Sequence, residues 1–205
     1  MKIDLRKTKT ICVSMKTAEQ RRRNVGDLLD KLGYERWQFY DAIVGKDAIE
    51  GCALSQINVL SSHDFKEPLL LVEDDISDSV FYDPIVNFPD DTDAFYIGYS
   101  WWAWDAERAS QSTLPHMTQA KRENSVYRIS CMLSTHAILY VTDEYAKSAV
   151  KTMKDYLVDE TGNRHCDAAL AKIQHKHKVY APGNHLFFQK CPRNTFWTNR
   201  GIDSN

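Results

Sequence analysis

Three carboxylates stand in a row at Glu73-Asp74-Asp75, directly after the apolar run Leu69-Leu70-Leu71-Val72. Like charges at the end of a buried segment repel one another and lose solvation. A divalent cation relieves both problems. Hard ions such as Mg2+ and Mn2+ prefer carboxylate oxygens. An ion held there is placed to bridge the two phosphates of a diphosphate and to stabilise charge on a departing one. The competing reading is a solvated acidic turn. Strand alternation predicts that Glu73 and Asp75 face one side and Asp74 the other.

Other residues are candidates to complete such a site. Arg21-Arg22-Arg23 sits on the first helical segment, and one arginine turned to the strand ends would pair with phosphate. Arg22 is preferred, with Lys16 as a second source of positive charge. His136 and His185 adjoin strands, where a histidine serves either as a structural residue or as a ligand. His185 follows the last strand and is placed to complete a metal shell. Trp101, Trp102 and Trp104 crowd a polar stretch, either to stack on sugar rings or to pack the loop down. Cys166 lies between His165 and Asp167, a weak sign of a thiol nucleophile. The five cysteines are odd in number and widely spaced, so reduced thiols are expected rather than a disulfide or zinc framework.

These residues need elements to position them. Thr10 to Val13 reads as a strand. A helix follows, capped by Thr17 with Gln20 three residues on, carrying Val25, Leu28, Leu29 and Leu32 at helical spacing and stopped by Gly33. Trp37 to Tyr40 is a strand, Ala53 to about His63 a helix, and Leu69 to Val72 a strand buried on both faces. Ala94 to Gly98 is a strand, and residues 100 to 125 read as a long loop. Ala137 to Val141 is a strand. Thr142 caps the next helix, with Ala146, Ala149, Val150, Met153 and Leu157 on its buried stripe. Asp167 to Gln174 is a short helix, Lys178 to Ala181 a last strand, and the tail beyond Cys191 is irregular. The alternation predicts an α/β fold with a mainly parallel central sheet. Ligands in such folds sit beyond the carboxyl ends of the strands, which points to Ser14, Asp75 and Tyr99.

At 205 residues the chain fits one domain. A net charge of −2 argues against nucleic acid as a partner, and no apolar run approaches the ~20 residues of a membrane span. The N-terminus lacks the apolar stretch of a signal peptide, so a cytoplasmic location is expected.

Several segments resemble glycosyltransferase family 25, which includes bacterial lipopolysaccharide galactosyltransferases and procollagen galactosyltransferase domains. Ile11-Cys12-Val13-Ser14-Met15-Lys16 followed by Arg21-Arg22-Arg23-Asn24-Val25 is similar to the family's first strand and arginine-bearing helix. Phe39-Tyr40-Asp41-Ala42-Ile43-Val44-Gly45 resembles its second strand and Asp-Ala turn, and Gly51-Cys52-Ala53-Leu54-Ser55-Gln56 its Gly-Cys-x-x-Ser-His helix start. Leu69 to Asp75 resembles its Leu-Glu-Asp-Asp strand end, Thr135 to Tyr140 its Gly-Thr-x-Ala-Tyr strand, and Asp167 falls near a recurring aspartate.

The resemblance implies a single GT-A type nucleotide-sugar-binding domain, with a nucleotide-binding half at about 8–99, an acceptor-side half at about 100–190 and a tail at 191–205. It implies transfer of a hexose, galactose or glucose, from a UDP-sugar to a saccharide or other hydroxyl acceptor, with Mn2+ or Mg2+ and inversion. Asp75, with Glu73 and His185, is then cast as metal ligand. Ser14, Met15, Lys16, Arg22, Asp41, Glu73 and Asp74 are cast on the nucleotide. Gln56 stands where the family carries histidine, and an amide cannot take a proton at neutral pH. Asp167 becomes the candidate general base, with helix capping as its competing role. Two rivals stay open. A nucleotidyltransferase shares the layered fold, though Ser14 to Ala18 contains no glycine for a phosphate loop. A catalytically degenerate sugar- or partner-binding module is the other.

Overall fold

A computed structural model of the chain describes residues 1–99, 103–105, 110–112, 117–121, 126–158 and 164–189, the three short stretches between 103 and 121 by their backbone alone. In chain order the strands and helices are β1 (Lys2–Asp4), β2 (Lys9–Ser14), α1 (Glu19–Lys31), β3 (Trp37–Asp41), α2 (Ala48–Ser62), β4 (Leu69–Glu73), β5 (Ile76–Asp78), β6 (Ile85–Asn87) and β7 (Ala94–Gly98). There follow β8 (Ala103–Asp105), β9 (Ser110–Ser112), β10 (Met117–Lys121), β11 (Val126–Ile129), β12 (Ala137–Tyr140), α3 (Asp143–Val158), α4 (Cys166–Gln174), β13 (Val179–Pro182) and β14 (Phe187–Gln189).

The central sheet runs β10-β11-β13-β7-β12-β4-β2-β3, with β14 and β5 joined at β7. β2 pairs in parallel with both β3 and β4, and β13 with β7. β12 is inserted between β4 and β7 in the opposite sense. Two strands antiparallel to the same neighbour are parallel to each other, so β3, β2, β4, β7 and β13 all point one way. The sheet is mixed but mostly parallel, and its principal carboxyl ends open on one side.

β4 shows why the sequence folds this way. Leu69, Leu70, Leu71 and Val72 are all buried. Leu69 and Leu71 join a core with residues of α2, α3 and α4, while Leu70 and Val72 join a core with Val25 and Leu29 of α1. A helix layer therefore covers each face. Each such side chain contributes about 1.5–3 kcal/mol by leaving water, enough to hold the carboxylates that follow in a position they would not choose alone.

Several sequence expectations are revised. The Thr17–Gln20 capping box does not form. The N–H of Ala18 bonds the Met15 carbonyl, Ala18 is the N-cap with no side-chain bond, and Gln20 instead donates to Asn24. The turn tightens the entry to α1, so the helix starts one residue later, at Glu19. Helix α2 starts at Ala48, because Asp47 accepts the Glu50 N–H and caps it there. Segment 100–125 is not simply a loop: β8 pairs with β9, and β10 with β11. Such pairing is set by the partner strand, which the polarity of the strand itself does not report. Gly33 ends α1 with a positive φ, as expected.

Candidate functional site

The register of three parallel strands builds the site. Ser14 pairs with Asp41, and Val13 with Glu73, so the last residues of β3, β2 and β4 stand side by side. Beyond them lies a cleft of about 530 Å³. Its floor is Ser14 and Glu73 to Asp75. One wall is the loop Ala42 to Gly45 with the first turn of α2, and Arg21 closes the other side.

β4 ends at Glu73, and this divides the three carboxylates. By strand parity Glu73 faces the α2 and α4 layer, where Thr135 Oγ1 donates to its Oε1 at 2.7 Å. Asp74 faces α1. Ser14 Oγ donates to its Oδ2 at 2.6 Å and Arg21 Nη1 to its Oδ1 at 2.9 Å. Asp75 lies past the strand end, in the turn before β5, so strand parity no longer sets its direction. Its Oδ2 accepts from Arg21 Nη2 at 3.1 Å and Gln189 Nε2 at 3.0 Å. Asp75 Oδ1 is buried with no hydrogen-bond partner among the described residues, although the residue's own N–H lends the carboxylate some support.

Electrostatics follow from this geometry. Burial pushes the Glu73 carboxyl well above the usual range, and the nearby Cys52 and Asp75 add to the shift. Burial raises Asp75 as well, with Gln189 and Arg21 partly opposing it. Both groups hold a negative charge at a cost, so a proton or a cation is favoured between them.

The opposite wall is rigid and apolar. A Cβ added to Gly51 would lie 2.6 Å from the Ile43 carbonyl oxygen, and one on Gly45 2.5 Å from the Gly51 nitrogen. Only a pair of glycines permits this approach. Ser55 Oγ accepts the Ile43 N–H at 2.8 Å and donates to the Gly51 carbonyl at 2.6 Å, pinning the loop to α2. Arg164 Nη1 donates to Asp47 Oδ2 at 3.1 Å and braces the cap. Val44 is 79% exposed and Met15 38% exposed at the mouth. Packing gains nothing from such exposure, whereas a flat apolar ligand would be covered by it.

Of the residues expected at a site, Ser14, Met15, Glu73, Asp74 and Asp75 line the cleft. Arg22 does not join them. Its Nη1 donates to Asp41 at 2.6 Å, its guanidinium lies 4.2 Å from the Phe39 ring centroid, and the bond holds Asp41 below the usual carboxylate range. Arg21 is the arginine at the acidic turn. Helix phase carried the signal: Arg22 stands one turn before Gly26, which abuts Trp37 and Phe39, whereas Arg21 stands one turn before the core residue Val25. Lys16 is exposed, with its charge acting on Asp41.

Gln56 is buried in α2 one turn past Cys52, where its Nε2 meets Cys52 and Cys166 sulfur. Asp167 is the second residue of α4; His165 is the N-cap, and the Asp167 carboxylate accepts the Ala168 N–H at 2.7 Å. Burial raises the Asp167 carboxyl, and its charge reaches Glu73 and Cys52, but it does not line the cleft. His185 packs edge-on against Tyr99 and Phe188 and does not line the cleft either. Tyr99 is buried, donating to the Pro182 carbonyl. His136 is buried and pushed down to about 4, so it is neutral at pH 7. Trp101, Trp102 and Cys191 lie outside the described residues, as does the Trp104 side chain. Gln189, Arg164 and the contact of Cys52 with Cys166 had no local sequence signal, since each depends on an element far along the chain.

Among the described residues no group of three or more His, Cys, Asp or Glu side chains is placed to hold a metal ion. The arrangement fits a different kind of ion. Mg2+, and Mn2+ with similar preferences, is commonly held by one or two carboxylates with waters and substrate phosphates supplying the rest. Asp75 Oδ1, buried and without a hydrogen-bond partner among the described residues, is an oxygen that could take such a place.

No family model matches the chain, and no curated protein matches it. Solved structures do. A glycosyltransferase involved in the glycosylation of the major capsid of PBCV-1 superposes with a TM-score of 0.54 at 9% identity, over 95% of this chain and 97% of that one. A nucleoside-diphosphate-sugar pyrophosphorylase from Vibrio cholerae RC9 gives 0.48 at 12% identity over 89% and 76%. An inositol-1-phosphate CTP transferase from T. maritima gives 0.39 at 12% identity over 92% and 91%. The first match shows a shared fold. None of the described helices is long and apolar enough to cross a membrane.

Proposed function

We propose that this chain is a glycosyltransferase that binds a nucleotide-sugar donor in the cleft with a divalent cation, Mn2+ or Mg2+, on Asp75. The observation that carries the reading is Asp75, which lines a cleft whose other wall is apolar and whose Oδ1 is buried without a hydrogen-bond partner among the described residues. The fold shared with a glycosyltransferase supports it, and so does the resemblance to family 25. From that resemblance come a UDP-sugar donor, a galactosyl or glucosyl group, a GT-A type domain and inversion at the anomeric carbon.

Each residue has a part in this reading. The slot of Ala42 to Gly45 and Met15 covers the base and excludes water. Asp74, fixed by Ser14, holds Arg21 in place, and Arg21 offers its remaining donor capacity to phosphate. Asp75 would ligate the cation, with Glu73 close enough to share its charge. When bound, the ion supplies positive charge to the diphosphate as the sugar leaves. The acceptor proton needs a base with a pKa near the working pH. Glu73 is the raised carboxyl that opens on the cleft, and Asp167 lies behind it, tuning it by charge. Gln56 faces sulfur rather than the cleft, so its departure from the family's histidine leaves the donor side unchanged.

The test is metal-dependent hydrolysis across a panel of UDP-sugars. The reading expects one sugar to be released in Mn2+ and not in EDTA, and Asp75→Ala to lose that activity. Equal turnover by Asp75→Ala would reject it.

A further inference from the structure

Two thiols from different helices touch at the edge of the cleft. Cys52 Sγ, in the second turn of α2, lies 3.5 Å from the Sγ of Cys166, the first residue of α4. Cys52 lines the cleft, and Cys166 is buried behind it. Gln56 Nε2 is 3.8 Å from the first sulfur and 3.6 Å from the second. Thiols serving only as core filler need neither an opening to solvent nor an amide donor shared between them. A disulfide needs its sulfurs at about 2.05 Å, so the pair has to close by roughly 1.5 Å.

We infer that Cys52 and Cys166 are a peroxide-reactive pair that closes to an intramolecular disulfide between α2 and α4. Cys52 meets the oxidant because it faces the cleft. Its sulfur attacks one oxygen of hydrogen peroxide, the S–O bond forms as the O–O bond breaks, and the other oxygen leaves as water with the thiol proton. Cys52 is oxidised by two electrons to a sulfenic acid. Cys166 sulfur then attacks Cys52 sulfur. The S–S bond forms, the S–O bond breaks, and the hydroxyl leaves as water with the Cys166 proton. Two thiols and one peroxide become one disulfide and two waters. Contact between the sulfurs puts the second step ahead of further oxidation of Cys52. The Gln56 amide supports negative charge on either sulfur. This chemistry is independent of glycosyl transfer and survives if that reading fails.

Peptide mapping of the full chain tests it. The chain is treated with equimolar hydrogen peroxide, alkylated with N-ethylmaleimide and digested with trypsin without reduction. Cleavage after Lys46, Lys66, Arg164 and Lys172 puts Cys52 on peptide 47–66 and Cys166 on peptide 165–172. The expected product is these two peptides joined, about 2 Da lighter than their sum, with alkylation of both cysteines lost in parallel and restored by a thiol reductant. In Cys166→Ser, Cys52 is expected to accumulate a sulfenic acid trapped by dimedone. Both cysteines staying fully alkylatable would overturn the inference. So would sulfinic acid on Cys52 with Cys166 still free, or a crosslink to Cys12, Cys131 or Cys191. The wild-type map decides the question even if the variant does not fold.

Discussion

Asp75 and Asp93 are nearly equal in exposure, at 15% and 18%, and stand at opposite ends of the sheet. Asp93 precedes β7. Its Oδ1 accepts from Thr142 Oγ1 at 2.9 Å and its Oδ2 from the Lys178 N–H at 2.8 Å. Its own N–H and carbonyl are also bonded, to Lys178 and Val141. Asp93 ties the start of α3 to the start of β13, and the fold uses every oxygen it offers. Asp75, after β4, has one oxygen shared by Arg21 and Gln189 and one with no hydrogen-bond partner among the described residues. Residue type and burial match, so the difference lies in what the fold leaves unfinished. The unfinished carboxylate is at the end of the sheet where parallel strands present their carboxyl ends to ligands.

Exchanging the two losses tests this contrast most severely. Asp75→Ala is expected to lower metal-dependent turnover by on the order of 100-fold or more and to leave the melting temperature unchanged or higher. Asp93→Ala should do the reverse. It strands the Lys178 N–H and weakens the α3 cap, a cost of about 1–3 kcal/mol. That is roughly 2–4 °C of melting temperature for each kcal/mol in a chain of this size, with turnover at 25 °C kept. A melting loss in the first variant with activity intact would break the comparison.

Neighbouring arginines sharpen it. Arg21→Ala leaves Asp74 and Asp75 facing a diphosphate without their counter-charge, and UDP affinity should fall about tenfold, or 1.4 kcal/mol. Arg22→Ala removes the pairing with Asp41 and the contact with the Phe39 ring, both outside the cleft, and affinity should change less than about twofold. Titration calorimetry of the two variants distinguishes them.

The smallest expected effect on stability concerns Glu73. Its folded pKa lies above its unfolded one, so the folded chain holds an extra proton between the two values. The stability this gives is present below the unfolded pKa and is lost as pH rises through the folded one. Glu73→Gln keeps an acceptor for Thr135 without the charge. It should therefore be more stable than the parent by about 1 kcal/mol near neutral pH, with the gap narrowing toward pH 4. Melting curves from pH 4 to 8 would show it. A constant gap would mean that Glu73 is not held at a cost.

The sequence made the strands legible where one interaction dominates. Leu69 to Val72 and Ala94 to Gly98 are buried on both faces and read as continuous apolar runs. The acidic turn was legible for the same reason, since three carboxylates after such a run have no structural explanation of their own. The division among them was not. Parity sets direction only to Glu73, where the strand ends, and the partners that hold Asp75, Arg21 and Gln189, lie 54 and 114 residues away in the chain. β8 to β11 were missed because short polar strands are set by their partners rather than by their own composition. Gln56 looked like a catalytic departure until the structure showed it turned to two sulfurs, one of them from α4.

The central claim is that Asp75 Oδ1 is an unfilled cation ligand at a nucleotide site. The most direct measurement is calorimetric titration of UDP into the wild-type chain and into Asp75→Ala, each with Mn2+ and with EDTA. The account predicts binding by the wild-type chain that needs Mn2+ and is lost in the variant. UDP binding of equal strength in EDTA, or an unchanged response in Asp75→Ala, would contradict it.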